Sequence, residues 1–139
     1  MDRDELMDLA RKRVVGFAAY CGLTLTSVEP GSVRGYCPLV PELLNPYGKA
    51  HGGAISTLMD TLSGICASSA SVPYRYVVTR SADVHYLRPV TGSRIAGWAR
   101  AVRAGRQMCL VQAEIYDDQD RLCASGQLEF FYVEEGPKD

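Results

Sequence analysis

The sequence predicts an α+β fold, one long helix packed against an antiparallel sheet, with an extra helix at the N-terminus. Three observations carry this. Between Gly52 and Ala70 the apolar residues Ile55, Leu58, Met59, Leu62, Ile65 and Cys66 recur at i, i+3, i+4, i+7, i+10 and i+11, one stripe of a helix. Most of the remaining chain alternates apolar and polar residues with the period of a strand. Short turn signals separate the strand-like stretches after the helix, which favours an antiparallel meander over βαβ units.

The elements follow in order. Leu6, Leu9, Ala10, Val14, Phe17 and Ala18 stand at helical spacing among charges, so residues 3–20 read as an amphipathic first helix. LTLTSVEPGSVRGYCPLV holds two alternating runs around Glu29-Pro30-Gly31-Ser32, the pattern of a hairpin. Pro38, Pro41 and Pro46 mark a loop leading to Tyr47-Gly48, and the long helix then runs to Ala70, with Pro73 as its stop. Three or four strands are expected in YVVTRSADVHYLRP, SRIAGWARAVRA, QMCLVQAEIYDD and RLCASGQLEFFYV. A chain of 139 residues supports one substantial core, so residues 1–139 form one domain with a frayed tail at 134–139.

Charge and composition exclude several functions. Fifteen basic and sixteen acidic residues nearly cancel, leaving no overall attraction to nucleic acid or to an anionic membrane. The five cysteines (Cys21, Cys37, Cys66, Cys109, Cys123) are odd in number and contain no C-x-x-C pair, fitting reduced thiols in a cytoplasm better than a disulfide framework. The two histidines, His51 and His85, have no metal-ligand spacing, so no metal site is expected. No apolar run reaches the roughly 20 residues of a membrane span. VVGFAAYCGLTL follows a long acid-rich segment, unlike the apolar region of a secretory leader.

The chemistry concentrates in NPYGKAHGGAISTLMD, residues 45–60. At about 100° per residue, Asp60 lies roughly 140° from Ile55, off the apolar stripe. Its helical neighbours Ser56, Ser63 and Gly64 make a small, polar second face. An aspartate two turns into a helix does not cap it, so it is either a solvated acid or a functional one. Upstream, Gly52 and Gly53 open the helix, where free N–H groups and the positive end of the dipole can hold a developing oxyanion. Taken alone, the glycine pair also fits a tight loop-to-helix turn.

N-P-Y-G-x-x-H-G-G-A-x-x-x-L-x-D resembles the signature of hot-dog fold thioesterases of the phenylacetate-pathway (PaaI-like) type, and the order of elements is similar over residues 15–133. The resemblance implies a sheet wrapped around the long helix. It implies two protomers joined edge to edge with active sites at the interface, and a homotetramer of two dimers. The activity implied is hydrolysis of an acyl-coenzyme A thioester, with no cofactor beyond the coenzyme A of the substrate. By this resemblance Asp60 is the catalytic carboxylate, as general base or as nucleophile. Gly52 donates its N–H to the thioester oxygen, with Gly53 beside it at the substrate. Asn45 orients water or the carbonyl from the partner subunit, and His51 shapes the loop. Thr79 matches a hydroxyl that holds water. Arg103 and Arg106, flanking Ala104-Gly105, match a nucleotide contact, with Lys49, Arg80 and Arg88 as lesser candidates for the phosphates. Two other readings share the fold: an acyl-CoA hydratase or dehydratase, and a non-catalytic acyl-CoA sensor. Met59, Leu62, Tyr86, Trp98 and Phe130-Phe131 either fill the core or line an acyl tunnel.

Overall fold

The computed structural model describes residues 1–136. Two short helices, α1 (Arg3–Arg11) and α2 (Gly16–Tyr20), precede a hairpin of β1 (Thr24–Glu29) and β2 (Ser32–Pro38). A 3-10 turn at Pro41–Leu43 leads to α3 (Gly52–Ser69), followed by β3 (Tyr76–Tyr86), β4 (Arg94–Ala104), β5 (Met108–Tyr116) and β6 (Leu122–Val133). All strand pairs are antiparallel, in the order β1-β2-β4-β5-β6-β3. Among the described residues no helix is long and apolar enough to cross a membrane.

The sheet curls around α3. Leu58, Met59, Leu62, Ile65 and Cys66 are buried in the core with Val33, Ile95, Val111, Ile115 and Phe130 of the strands. The strands make room by leaving side chains out. A Cβ at Gly97 would lie 2.6 Å from Leu62 Cδ1, one at Gly35 would lie 3.0 Å from Leu62 Cδ2, and one at Gly126 would lie 2.9 Å from Met59 Cε. The helix end is latched to the hairpin: Ser69 Oγ accepts from the Gly31 N–H at 3.0 Å and lies 3.1 Å from the Glu29 carbonyl oxygen. Gly31, at φ +74°, closes the two-residue turn, a conformation glycine takes without a Cβ clash.

Three expectations change. The predicted helix over 3–20 is two helices, because Val15 is extended and Gly16 takes φ +55°, breaking the helical path. Phe17 is consequently exposed, while Ala18 of the expected stripe faces the core, joined by Cys21. The meander holds for β4-β5-β6, but β3 pairs with β6 at the far edge. An 18-residue helix, about 27 Å long, carries the chain across the sheet before β3 begins. Met59, Leu62 and Phe130 are core, whereas Tyr86 and Phe131 are exposed, and Trp98 lies beneath the Arg34 guanidinium, 3.7 Å from its ring centroid. Residues 134–136 lie past β6, and positions 137–139 of the expected tail fall outside the described residues.

All five cysteines are free and buried. Burial pushes the Cys37 and Cys66 thiols up to about 12 from 9.0. The folded state therefore favours the neutral thiol, a contribution fully present below about pH 9 and lost as pH rises toward 12. Unfolding free energy measured by urea titration is expected to fall across that window, and less steeply in Cys66→Ala. Equal slopes would remove Cys66 from the account.

Candidate active site

The loop before α3 is built by Asn45. Its Oδ1 accepts from the N–H groups of Tyr47 (2.9 Å) and Lys49 (3.1 Å), while its own N–H donates to the Lys49 carbonyl (2.7 Å). This self-bonded turn, closed by Gly48 at φ +72°, spends the Asn45 carbonyl oxygen and leaves its NH₂ as the available donor. His51 then caps the helix, Nδ1 accepting from the Gly53 N–H at 2.8 Å. Of the two glycines, only Gly52 keeps a backbone N–H without an acceptor among the described residues. Gly53 is committed to the His51 ring, which removes its N–H from the donors expected to face a substrate.

The Tyr86 ring lies over Gly52, where a Cβ would sit 3.5 Å from Cε1, and its hydroxyl donates to the Gly52 carbonyl at 3.3 Å. Gly52, Asn45, Lys49, Tyr86 and Arg88 border one cavity of about 510 Å³. Neither the Lys49 nor the Arg88 side chain has an ion-pair partner among the described residues, whereas Arg80 is paired with Glu129 at 3.1 Å.

Most of α3 is buried. The strip left uncovered runs through Gly53, Ser56, Thr57, Asp60 and Thr61, at i, i+3, i+4, i+7 and i+8. Ser63 and Gly64 are buried, so the small polar face expected around Asp60 is open only on its N-terminal side. Thr79 donates its hydroxyl to Asp60 Oδ1 at 2.7 Å. A β-bulge between Thr79 and Ser81 sets the pairing with β6 there, a device that re-aims side chains beside a site. Asp60 and Thr79 share a second cavity, of about 300 Å³, whose wall includes Gly64, Val77, Phe130 and Arg13.

The two groups of residues do not meet within one chain. Gly52 and Asp60 are eight residues apart on α3, which separates them by about 12 Å along the axis. Arg103 and Arg106 border a separate cavity with Leu110 and Glu129 on the face of the sheet turned away from α3. Both side chains are exposed, and their turn is braced by Arg75, whose guanidinium donates to the carbonyls of Arg106 (2.7 Å) and Gly105 (3.2 Å). Sequence reasoning missed the covering role of Tyr86, read only as a tunnel or core residue. It also missed Arg13, which the pattern hides between Lys12 and Val14 at the end of an ordinary charged segment.

A thioesterase-superfamily profile matches residues 47–124, spanning the loop, α3 and the strands that hold Thr79. The chain belongs to the thioesterase superfamily. It is a hot-dog fold thioester hydrolase, as its signature predicted. It is similar to the proofreading thioesterase EntH of Klebsiella pneumoniae, at 27% identity over 79% of this chain and 80% of that one. A solved structure of the conserved protein PA5202 from Pseudomonas aeruginosa superposes with a TM-score of 0.83 at 32% identity, covering 89% of this chain and 99% of the other. The fold is shared with the PaaI protein of the E. coli phenylacetic acid degradation operon, with a TM-score of 0.85 at 18% identity over 95% and 96% of the two chains.

His51→Ala removes the cap on the Gly53 N–H and is expected to cost about 0.5–2 kcal/mol of stability by urea titration. His51→Asn, which keeps a side-chain acceptor at the cap, is expected to lose less; the reverse order would show that the cap is not what His51 contributes.

Proposed function

We propose that this protein hydrolyses acyl-CoA thioesters to the free acid and coenzyme A, with Asp60 as the catalytic carboxylate. The observation that carries the reading is the Thr79-bonded Asp60 standing on the one uncovered strip of an otherwise buried helix. Thr79 holds Oδ1, which leaves Oδ2 as the oxygen that takes a proton from water or attacks the carbonyl carbon itself. In the first route water loses its proton to Asp60 as its oxygen bonds to the carbonyl carbon. In the second, Asp60 forms an anhydride that water then cleaves. In both, the C–S bond breaks and coenzyme A leaves as the thiolate.

The Gly52 N–H, at the positive end of the α3 dipole, is the donor for the oxyanion of either intermediate. The NH₂ of Asn45 orients the carbonyl or the water. Because Gly52 and Asp60 lie about 12 Å apart along α3, one carbonyl cannot touch both in a single chain. A homodimer resolves this, with Asp60 of one copy meeting Gly52 and Asn45 of the other. The β3 strand favours that arrangement: its outer edge is unpaired and most of its residues are exposed, a long free edge of the kind proteins cover. Two such dimers would form the tetramer. Lys49, Arg88, Arg103 and Arg106 are the cations offered to the coenzyme A phosphates. A hydratase would pair the acid with a histidine for proton transfer; here Thr79 occupies that place and His51 caps the helix. The buried free thiols suit a reducing compartment such as the cytoplasm.

The test is thiol release from phenylacetyl-, benzoyl-, hexanoyl- and palmitoyl-CoA. Asp60→Asn is expected to lower kcat by about 10²- to 10⁴-fold with an unchanged melting temperature. Thr79→Val is expected to lower it about 10-fold, as loss of one hydrogen bond to a charged group. A rate in Asp60→Asn within a few-fold of wild type would overturn the assignment.

A further inference from the structure

The cavity that Asp60 shares with Thr79 is also lined by a cation, Arg13. Asp60, Gly64 and Ser68 form one row of α3 at i, i+4 and i+8, and Arg13 donates from Nη1 to Ser68 Oγ at 2.6 Å. Gly64 has no side chain to interrupt the row; a Cβ there would touch Phe130 at 3.5 Å and Val77 at 3.7 Å. Between Asp60 and Arg13 the cavity is lined by Gly64, Ile65, Val77 and Phe130, with the hydroxyl-bearing Thr61 and Thr79 at the Asp60 side.

Arg13 is partly buried, and among the described residues no carboxylate stands within ion-pair distance of it. Its described partners are the Ser68 hydroxyl and the face of Tyr76, 5.7 Å from the guanidinium carbon. The backbone fixes it there: after α1 the N–H groups of Arg13 and Val14 turn back to the carbonyls of Ala10 and Arg11. A partly buried guanidinium on a cavity wall, with most of its five donors unmatched among the described residues, can receive an anion that accepts in its plane.

We propose that Arg13 is a specificity-determining residue that binds a carboxylate at the far end of the acyl group, so that the favoured substrates are half-thioesters of dicarboxylic acids. This rests on the reading of Asp60 as the catalytic carboxylate. The thioester carbonyl lies at Asp60, and the methylene chain runs along Gly64 and Phe130. The ω-carboxylate replaces water on Arg13. Ser68 lies about 12 Å along the axis from Asp60, and the Arg13 side chain reaches back over part of that span, which favours a short diacid over a long one.

The experiment compares acyl groups of equal length that differ only at the end: glutaryl- against pentanoyl-CoA and adipyl- against hexanoyl-CoA. The readout is the ratio of kcat/KM within each pair, for wild type, Arg13→Met and Arg13→Lys. Wild type is expected to prefer one or both carboxylate-ended members. Arg13→Met is expected to lower the ratio about 10- to 100-fold, the scale of a charge-assisted hydrogen bond, and Arg13→Lys to retain only the part that charge without the planar fork supplies. A wild-type preference for the neutral member of both pairs would overturn the proposal, as would an Arg13→Met variant that slows both members equally. If wild type cleaves no member, the thioesterase reading fails, and calorimetric affinities for the same pairs still decide this one. A carboxylate preference abolished by Arg13→Met supports it, and identical affinities refute it.

Discussion

Everything in this molecule follows from burying α3 inside a single curled sheet. The sheet can approach that closely only where glycines stand opposite the large side chains, Gly35 and Gly97 against Leu62 and Gly126 against Met59. Each such residue taken fully out of water contributes about 1.5–3 kcal/mol, so the close approach carries much of the stability. The same enclosure leaves one strip of α3 uncovered. An acid placed on that strip is accessible at one side and surrounded by packed protein at the others, the setting in which a carboxylate can act on a bound acyl group.

Helix geometry then divides the chemistry. A start with a free N–H at Gly52 and a carboxylate two turns on at Asp60 are rigidly related, and neither can move toward the other without unwinding α3. Rigidity of this kind keeps both groups aimed without reorganisation, which is what electrostatic stabilisation of an oxyanion requires. On the proposed mechanism, the two groups would serve one carbonyl only across an interface between copies. The unpaired outer edge of β3, the strand that carries Thr79, supplies a surface for it. One strand thus holds the carboxylate through Thr79 and has the unpaired edge at which the proposed dimer would form.

Much of this was legible in the sequence. The period of Ile55 to Cys66 gave α3 almost to the residue, because a helix buried on several faces still needs its largest side chains on one stripe. The strands β4 to β6 were equally plain, since turns at Ala104-Gly105 and Asp117 to Asp120 are local. The far-edge pairing of β3 was not legible, because strand order depends on how far α3 carries the chain. The break at Gly16 was hidden because a positive φ leaves no mark on the apolar spacing around it. At the site, His51-Gly52-Gly53 and Asp60 stood out by motif. That the Gly53 N–H would be taken by the His51 ring, or that Arg13 would line the Asp60 cavity, depends on contacts between residues distant in sequence or on a single rotamer.

The central claim is that one active site is assembled from two copies, and subunit mixing tests it directly. Gly52→Pro deletes the N–H at the first helical position, which proline tolerates, and sets its ring in contact with Tyr86, while Asp60→Asn removes the carboxylate. Each variant alone should be nearly inactive. Refolded together in equal amounts, they should recover about a quarter of the wild-type rate, the statistical share of intact composite sites in two-fold symmetric dimers. A mixture no more active than its two components, with exchange of subunits verified, would contradict the account.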